Sequence, residues 1–158
     1  MTLTPIQWIP SSSKSEAMIG APSGAPVIMT SDDNSWGYFR DPSGRTVIVG
    51  YADIGLKPQA IQCGDTVFIG INESLFGIDS ASMNVKFTHK MPWVFHEFLQ
   101  YKDFLLVRDE IGFMGISKDG QEIWEGITEA PIDRFKIEGN SILGLTTDGD
   151  SFHFEIGG

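Results

Sequence analysis

One motif is written twice in this chain, 38 residues apart. The stretch CGDTVFIGINESLFGIDSASMNVKFTH, beginning at Cys63, keeps step without a gap with YKDFLLVRDEIGFMGISKDGQEIWEGI, beginning at Tyr101, over its first two predicted strands. Asp65 falls on Asp103, Phe68 on Leu106, Phe76 on Met114, Gly77 on Gly115 and Ile78 on Ile116. Each copy runs from an apolar segment through a turn to a segment ending in Gly-Ile, then through a polar turn to another strand. A repeat of this length, made of short strands, marks a propeller blade, in which four strands form one small sheet and neighbouring sheets bury each other's faces. The fold expected is therefore all-β, a small closed or open partial propeller.

Taken in order, residues 1–24 form an arm rich in Pro, Ser and Gly, and blade-like units follow at about 25–62, 63–100 and 101–138, with a partial unit at 139–158. The first unit matches loosely: PVIMT, SWGYFR and TVIVGYADI read as strands. Asp41-Pro42-Ser43-Gly44 is a turn between the last two, with Pro presetting φ and Gly free to take a positive one. Asn72-Glu73 makes the first turn of the second unit, and Lys118-Asp119-Gly120-Gln121 carries the Asp-Gly of a tight hairpin. No window shows a helical period with caps. The last unit holds two strands by this reading. Either the arm completes it and closes the ring, or the sheets stay open and leave an apolar face to be covered.

In the second unit, Cys63-Gly64-Asp65-Thr66-Val67-Phe68 and Phe76-Gly77-Ile78-Asp79 resemble the repeats of pyrroloquinoline-quinone-type propellers, as do Asp119-Gly120 and Ile123-Trp124 in the third. The resemblance covers about half the chain and implies architecture. Quinone enzymes of that kind need more blades than 158 residues hold, so no cofactor is expected.

A chain of this length buries roughly two-thirds of its unfolded surface in one domain. Cys63, the single cysteine, begins a strand with no cation beside it to lower its pKa, and reads as a small apolar residue. The N-terminus shows neither the basic start and apolar run of a signal peptide nor a membrane span, so the expected location is the cytosol. Eleven Lys and Arg stand against twenty-one Asp and Glu. That balance disfavours a nucleic-acid partner and favours a basic protein.

Catalytic and metal patterns are sparse. His89, His96 and His153 lack metal-ligand spacing and read as structural. Ser11 and Lys14 have a Ser-x-x-Lys spacing, which needs a helix to bring amine to hydroxyl, and the arm shows no helical pattern. Asp148-Gly149-Asp150 is a hairpin turn, too short for a calcium loop. No enzyme activity is expected. Trp8, Trp36, Trp93 and Trp124 read as packing residues, with Trp124 singled out because Glu122 and Glu125 flank it.

Between Asp109 and Asp133 lie Asp109, Glu110, Asp119, Glu122, Glu125, Glu129 and Asp133, against the one cation Lys118. Blade repeats bring equivalent turns to one rim, so Glu73 is expected to join Asp109 and Glu110 there. The expected docking set is Glu73, Asp109, Glu110, Asp119, Glu122, Trp124, Glu125 and Glu129. In size, acidity and lack of a catalytic set the chain resembles the immunity proteins of contact-dependent growth inhibition. The resemblance implies a one-to-one complex with a basic toxin, a nuclease whose active site or substrate groove is blocked, and no contact with nucleic acid or membrane. The alternative is a small propeller-like lectin with equivalent pockets between blades.

Overall fold

A computed structural model describes residues 3–30 and 33–157, and of Tyr101 the backbone alone. The chain is all-β with one short helix. Strands β1 (Thr4–Ser11), β2 (Val27–Met29), β3 (Ser35–Arg40) and β4 (Thr46–Tyr51) form the first unit, in the order β2-β4-β3-β1. Strands β5 (Gln59–Cys63), β6 (Thr66–Ile71), β7 (Ser74–Asp79) and β8 (Val85–Lys90) form the second. Strands β9 (Phe95–Tyr101), β10 (Leu105–Asp109), β11 (Gly112–Ile116) and β12 (Glu122–Ile127) form the third, and β13 (Ile132–Glu138), β14 (Ser141–Thr146) and β15 (Ser151–Glu155) the last. The second, third and last units are antiparallel meanders.

The arm joins the first two units into one eight-stranded, curled sheet. Residues Thr4 to Ile6 of β1 pair with β5, and Gln7 to Ser11 pair with β3. The arm thus completes the first unit, and its strand pairs neither with β13 nor with β15. Pairing also shifts each unit one strand earlier than the sequence periods. The segment from Trp93 to Leu99 opens the third sheet instead of closing the second, and Arg134 to Glu138 gives the last sheet a third strand. A periodic sequence has no inherent starting point, and the hydrogen-bond ladders set one.

The sheets stack face to face, and the inward residues of each pair form one core. Ile28, Phe39, Val47 and Val49 of the first unit bury against Val67, Ile69, Phe76 and Ile78 of the second. Ile61, Phe68 and Leu75 of the second meet Leu105, Val107 and Met114 of the third. Leu106 and Phe113 of the third meet Ile132, Ile142, Phe152 and Phe154 of the last. Strands β4 and β6, covered on both faces, are buried at all six positions, which is why TVIVGY and TVFIGI read as continuous apolar runs. The Gly of the Gly-Ile repeat lies under an aromatic ring. A Cβ on Gly77 would stand 1.9 Å from the Phe87 ring, and one on Gly115 would stand 2.5 Å from Phe104.

Among the described residues no sheet neighbours the outer face of the first unit, and helix α1 (Lys14–Gly20) covers it. Ala17, fully buried, packs with Tyr38 and Ile48 there. This helix is absent from the sequence expectation. Its signal is a capping box, Ser13-x-x-Glu16: Ser13 Oγ accepts from the Glu16 backbone N–H at 3.1 Å. Seven residues are too few for a period to show. Lys14, at its start, places Nζ 5.3 Å from the Trp36 ring centroid.

A candidate docking edge on the third sheet

Ser117 to Gln121 turn the chain from β11 into β12 by a three-residue loop. The Gly120 N–H donates to Ser117 O at 3.0 Å, the Ser117 N–H donates to Gln121 O at 2.9 Å, and Gly120 takes φ +84°. This is a type I turn closed by a left-handed Gly. Asp148-Gly149 and Ser43-Gly44 repeat the geometry, with Gly149 at φ +85° and Gly44 at φ +90°.

Strand β12 then runs along the outside of the third sheet with no further strand beside it among the described residues. Its register contains a bulge: Glu122 lies opposite Ile116 and Trp124 opposite Gly115, so Ile123 is the extra residue. The bulge decides the electrostatics. Residues three apart on a plain strand point to opposite faces. Here Glu122 and Glu125 lie opposite Ile116 and Met114, both in the core shared with the second sheet, so both carboxylates take that side. Ile127 follows them on the same side, and Ile123 and Ile127 are each about half exposed, at 52% and 53%. Glu122 has its carboxyl pushed above the usual range by burial, by a hydrogen bond to Glu125 and by the Glu125 charge. A cation beside the two acids would relieve this repulsion. In the second sheet, His89 on β8 lies opposite Leu75 of the same core and is half-buried, and burial lowers its pKa.

The structure divides the other expected docking residues. Glu73, exposed in the β6–β7 turn, lies at the end of the stack where β9 begins: the Phe95 N–H donates to Asn72 O at 2.7 Å. Glu110 is at that end too, half-buried in the β10–β11 turn, with its carbonyl accepting from the Ile132 N–H at 3.1 Å. Exposed Glu129 follows β12 there, next to Thr128, whose N–H donates to Ile111 O at 2.8 Å. Asp119 is exposed at the opposite end, because antiparallel strands alternate their turns between the two ends.

Two of the expected residues are not free to dock. Asp109 is 5% exposed, and its Oδ1 accepts from the Ile111 N–H at 2.9 Å, closing the β10–β11 turn from within. Burial pushes its carboxyl above the usual range, against hydrogen bonds from the Ile111 and Gly112 backbone that pull it down. Trp124 points into the stack and meets Phe154 edge-on at 6.2 Å between ring centroids. Glu125 takes the opposite side of the strand by alternation, and Glu122 joins it there because of the bulge at Ile123.

Sequence-based reasoning missed Ile123 and Ile127 as companions of the acids. The alternation of EIWEGI carries part of the signal, but the bulge that aligns Glu122 with Glu125 has no mark in it. Two inter-unit clefts lie elsewhere. One, of about 670 Å³, is lined by Met29, Ile54, Glu73, Ser74, Thr88 and Lys90 among others. The other, of about 470 Å³, is lined by Leu3, Trp8, Phe39, Lys57 and Phe98 among others. Their linings differ in kind.

No family model matches the sequence, and no curated protein matches it. Solved structures do match the fold. BamB from Moraxella catarrhalis, a β-propeller, is similar over 77% of this chain and 38% of its own, at 12% identity and a TM-score of 0.53. The computationally designed Ika4 protein is similar over 87% of this chain and 94% of its own, at 9% identity and a TM-score of 0.52. The chain thus spans well under half of BamB. At these identities the similarity concerns the fold, and the propeller-like architecture expected from the repeats is the one observed. No helix among the described residues is long and apolar enough to cross a membrane.

Proposed function

We propose that this protein binds and neutralises a basic protein, as an immunity protein neutralises its toxin, and that strand β12 is its docking edge. The observation that carries the reading is the alignment of Glu122 and Glu125 on one side of an outer strand, beside the exposed Ile127. A cationic side chain from the partner relieves the repulsion between the two acids, while Ile123 and Ile127 supply apolar contact. The net charge of −10 adds long-range attraction. Complementary charge raises association rates by roughly ten- to a thousand-fold at low salt. A nuclease toxin is the natural member of this class, since its substrate groove is built to receive phosphates and takes carboxylates in their place.

The test measures association with the protein encoded by the neighbouring reading frame, comparing wild type with Glu122→Lys/Glu125→Lys. The reversal is expected to slow association and to remove most of its salt dependence. An unchanged rate and salt dependence would sink the edge as the docking site. The lectin reading requires equivalent pockets between units, and the unlike linings of the two clefts count against it.

A further inference from the structure

Four units in series have three interfaces and two outer faces, and the fold covers all but one outer face. Helix α1 lies on the outer face of the first sheet, and the three intervening interfaces are apolar cores. Among the described residues, nothing covers the outer face of the last sheet. Phe135, Ile137, Ile142, Phe152 and Phe154 point toward the third sheet, so by alternation Arg134, Lys136, Glu138, Leu143, Leu145 and His153 occupy the other side.

The register arranges that side in three rows. Arg134 lies beside Leu145 and Ser151 at one end, Lys136 beside Leu143 and His153 in the middle, and Glu138 beside Ser141 and Glu155 at the other end. Cation and anion thus stand at opposite ends of β13, with leucines along β14 between them. Lys136 Nζ reaches Glu138 Oε1 at 2.8 Å, and Ser141 Oγ donates to Glu155 at 2.7 Å. A shallow apolar depression of about 260 Å³, lined by Arg134, Phe135, Lys136, Leu143, Gly144 and Leu145, lies over β13 and β14.

We infer that this face docks on the same face of a second copy of the chain, through a two-fold axis that crosses the strands at Leu143. Such an axis reverses strand direction while keeping β13 over β13. It therefore sets Arg134 over the second copy's Glu138, and Glu138 over its Arg134, with Leu143 against Leu143 at the centre. The two ends of β13 are complementary to each other, as a two-fold contact requires. Packed sheets with aligned strands are the ordinary way to bury such a face. Lys136 and His153, in the same row as Leu143, face their own copies in this arrangement, and Lys136 is held by Glu138 within each chain. The patch is small: three strands about 4.8 Å apart and about 17 Å long give roughly 250 Å² a side, against about 800 Å² per partner in stable complexes. The dimer is accordingly weak and concentration-dependent, and it does not depend on the docking edge of β12.

The experiment is sedimentation equilibrium of the full chain at 0.15 M salt, from micromolar to about 1 mM. Wild type is expected to approach a dimer at the upper end. Arg134→Glu and Glu138→Arg place like charges over each other, and each is expected to weaken the dimer by about tenfold or more. Mixing the two variants, or combining both changes in one chain, restores both ion pairs and is expected to restore dimerisation. A misfolded variant would not be rescued in this way. The inference is overturned by a wild type that stays monomeric throughout, by mixtures no better than either variant alone, or by open-ended growth, which would indicate head-to-tail stacking on Met18 and Ile19 of α1.

Discussion

Two buried aspartates at turns pull stability in opposite directions with pH. At Asp41, burial alone would raise the pKa, but hydrogen bonds from Ser43 and Arg45 together with the Arg45 charge outweigh it and hold the carboxyl below the ordinary value. Its Oδ1 accepts from the backbone of Ser43 and Arg45, both at 2.9 Å, and its Oδ2 from Arg45 Nε at 2.6 Å. Arg45 in turn donates to Ser80 O, so this turn ties the first unit to the second. A depressed pKa contributes stability that is present above the unfolded value and lost as pH falls through the folded one. Asp109 has the reverse sign. With its folded pKa raised, no penalty exists below the unfolded value, and stability is lost as pH rises from there through the folded value. Asp109→Asn retains the oxygen that receives the Ile111 N–H and removes the charge, so it is expected to be neutral or stabilising at pH 7. Asp109→Ala strands that N–H and is expected to cost about 1–3 kcal/mol. Asp41→Asn is expected to cost more at pH 7 than at pH 3. Urea titrations of the three variants across that range check both signs.

At the scale of elements, the strands were legible because burial imposes a period. TVIVGY and TVFIGI, covered on both sides, show no polar interruption, and the last strand, SFHFE, alternates because one side is bare. The Gly-Ile repeat was legible as a pattern, and its cause is steric: with Phe87 over Gly77, a side chain there must displace an aromatic ring. Gly77→Ala is expected to cost roughly 1–3 kcal/mol by overpacking, read as a lower urea midpoint at unchanged slope. The helix, the assignment of β9 and β13 to the following sheets, and the bulge at Ile123 were not legible. The helix is too short for its period to show beyond the capping box at Ser13 and Glu16, and the strand assignments and the bulge depend on which backbone groups meet across a ladder, which no residue type announces. The candidate site shares this limit. Acidity marked Glu122 and Glu125, while the inward turn of Asp109 and Trp124 follows from pairing alone. The arm, expected to close a ring or to remain apart, instead serves two sheets at once through β1. Removing residues 1–24 exposes Tyr38 and Ile48 beneath α1 and opens the edges of both β3 and β5. The truncated chain is expected to lose cooperative unfolding, and an unchanged melting temperature would contradict the double pairing.

For the molecule as a whole, the stack separates two roles by charge. Glu122 and Glu125 put an acidic seam on the outer edge of the third sheet, whereas the bare face of the last sheet carries charges of both signs in balance. Long-range attraction to a basic partner depends on the net charge and on the seam, so its signature is kinetic. The screening length falls from about 10 Å at 0.1 M salt to about 3 Å at 1 M, which removes steering while leaving short-range contact in place. Stability depends on the cores, which salt touches little. The same rise in salt is therefore expected to lower the association rate with a basic partner by about tenfold or more, with little change in the dissociation rate or in the urea midpoint of the free protein. Stopped-flow binding and urea titration, run in parallel at the two salt concentrations, separate these quantities. Ile123→Ser/Ile127→Ser should do the converse, speeding dissociation through lost apolar contact while leaving the salt slope of association as it is. If the slope moved with the isoleucines and not with the glutamates, attraction would have to originate elsewhere on the acidic surface, and β12 would be an apolar contact rather than the centre of the docking field.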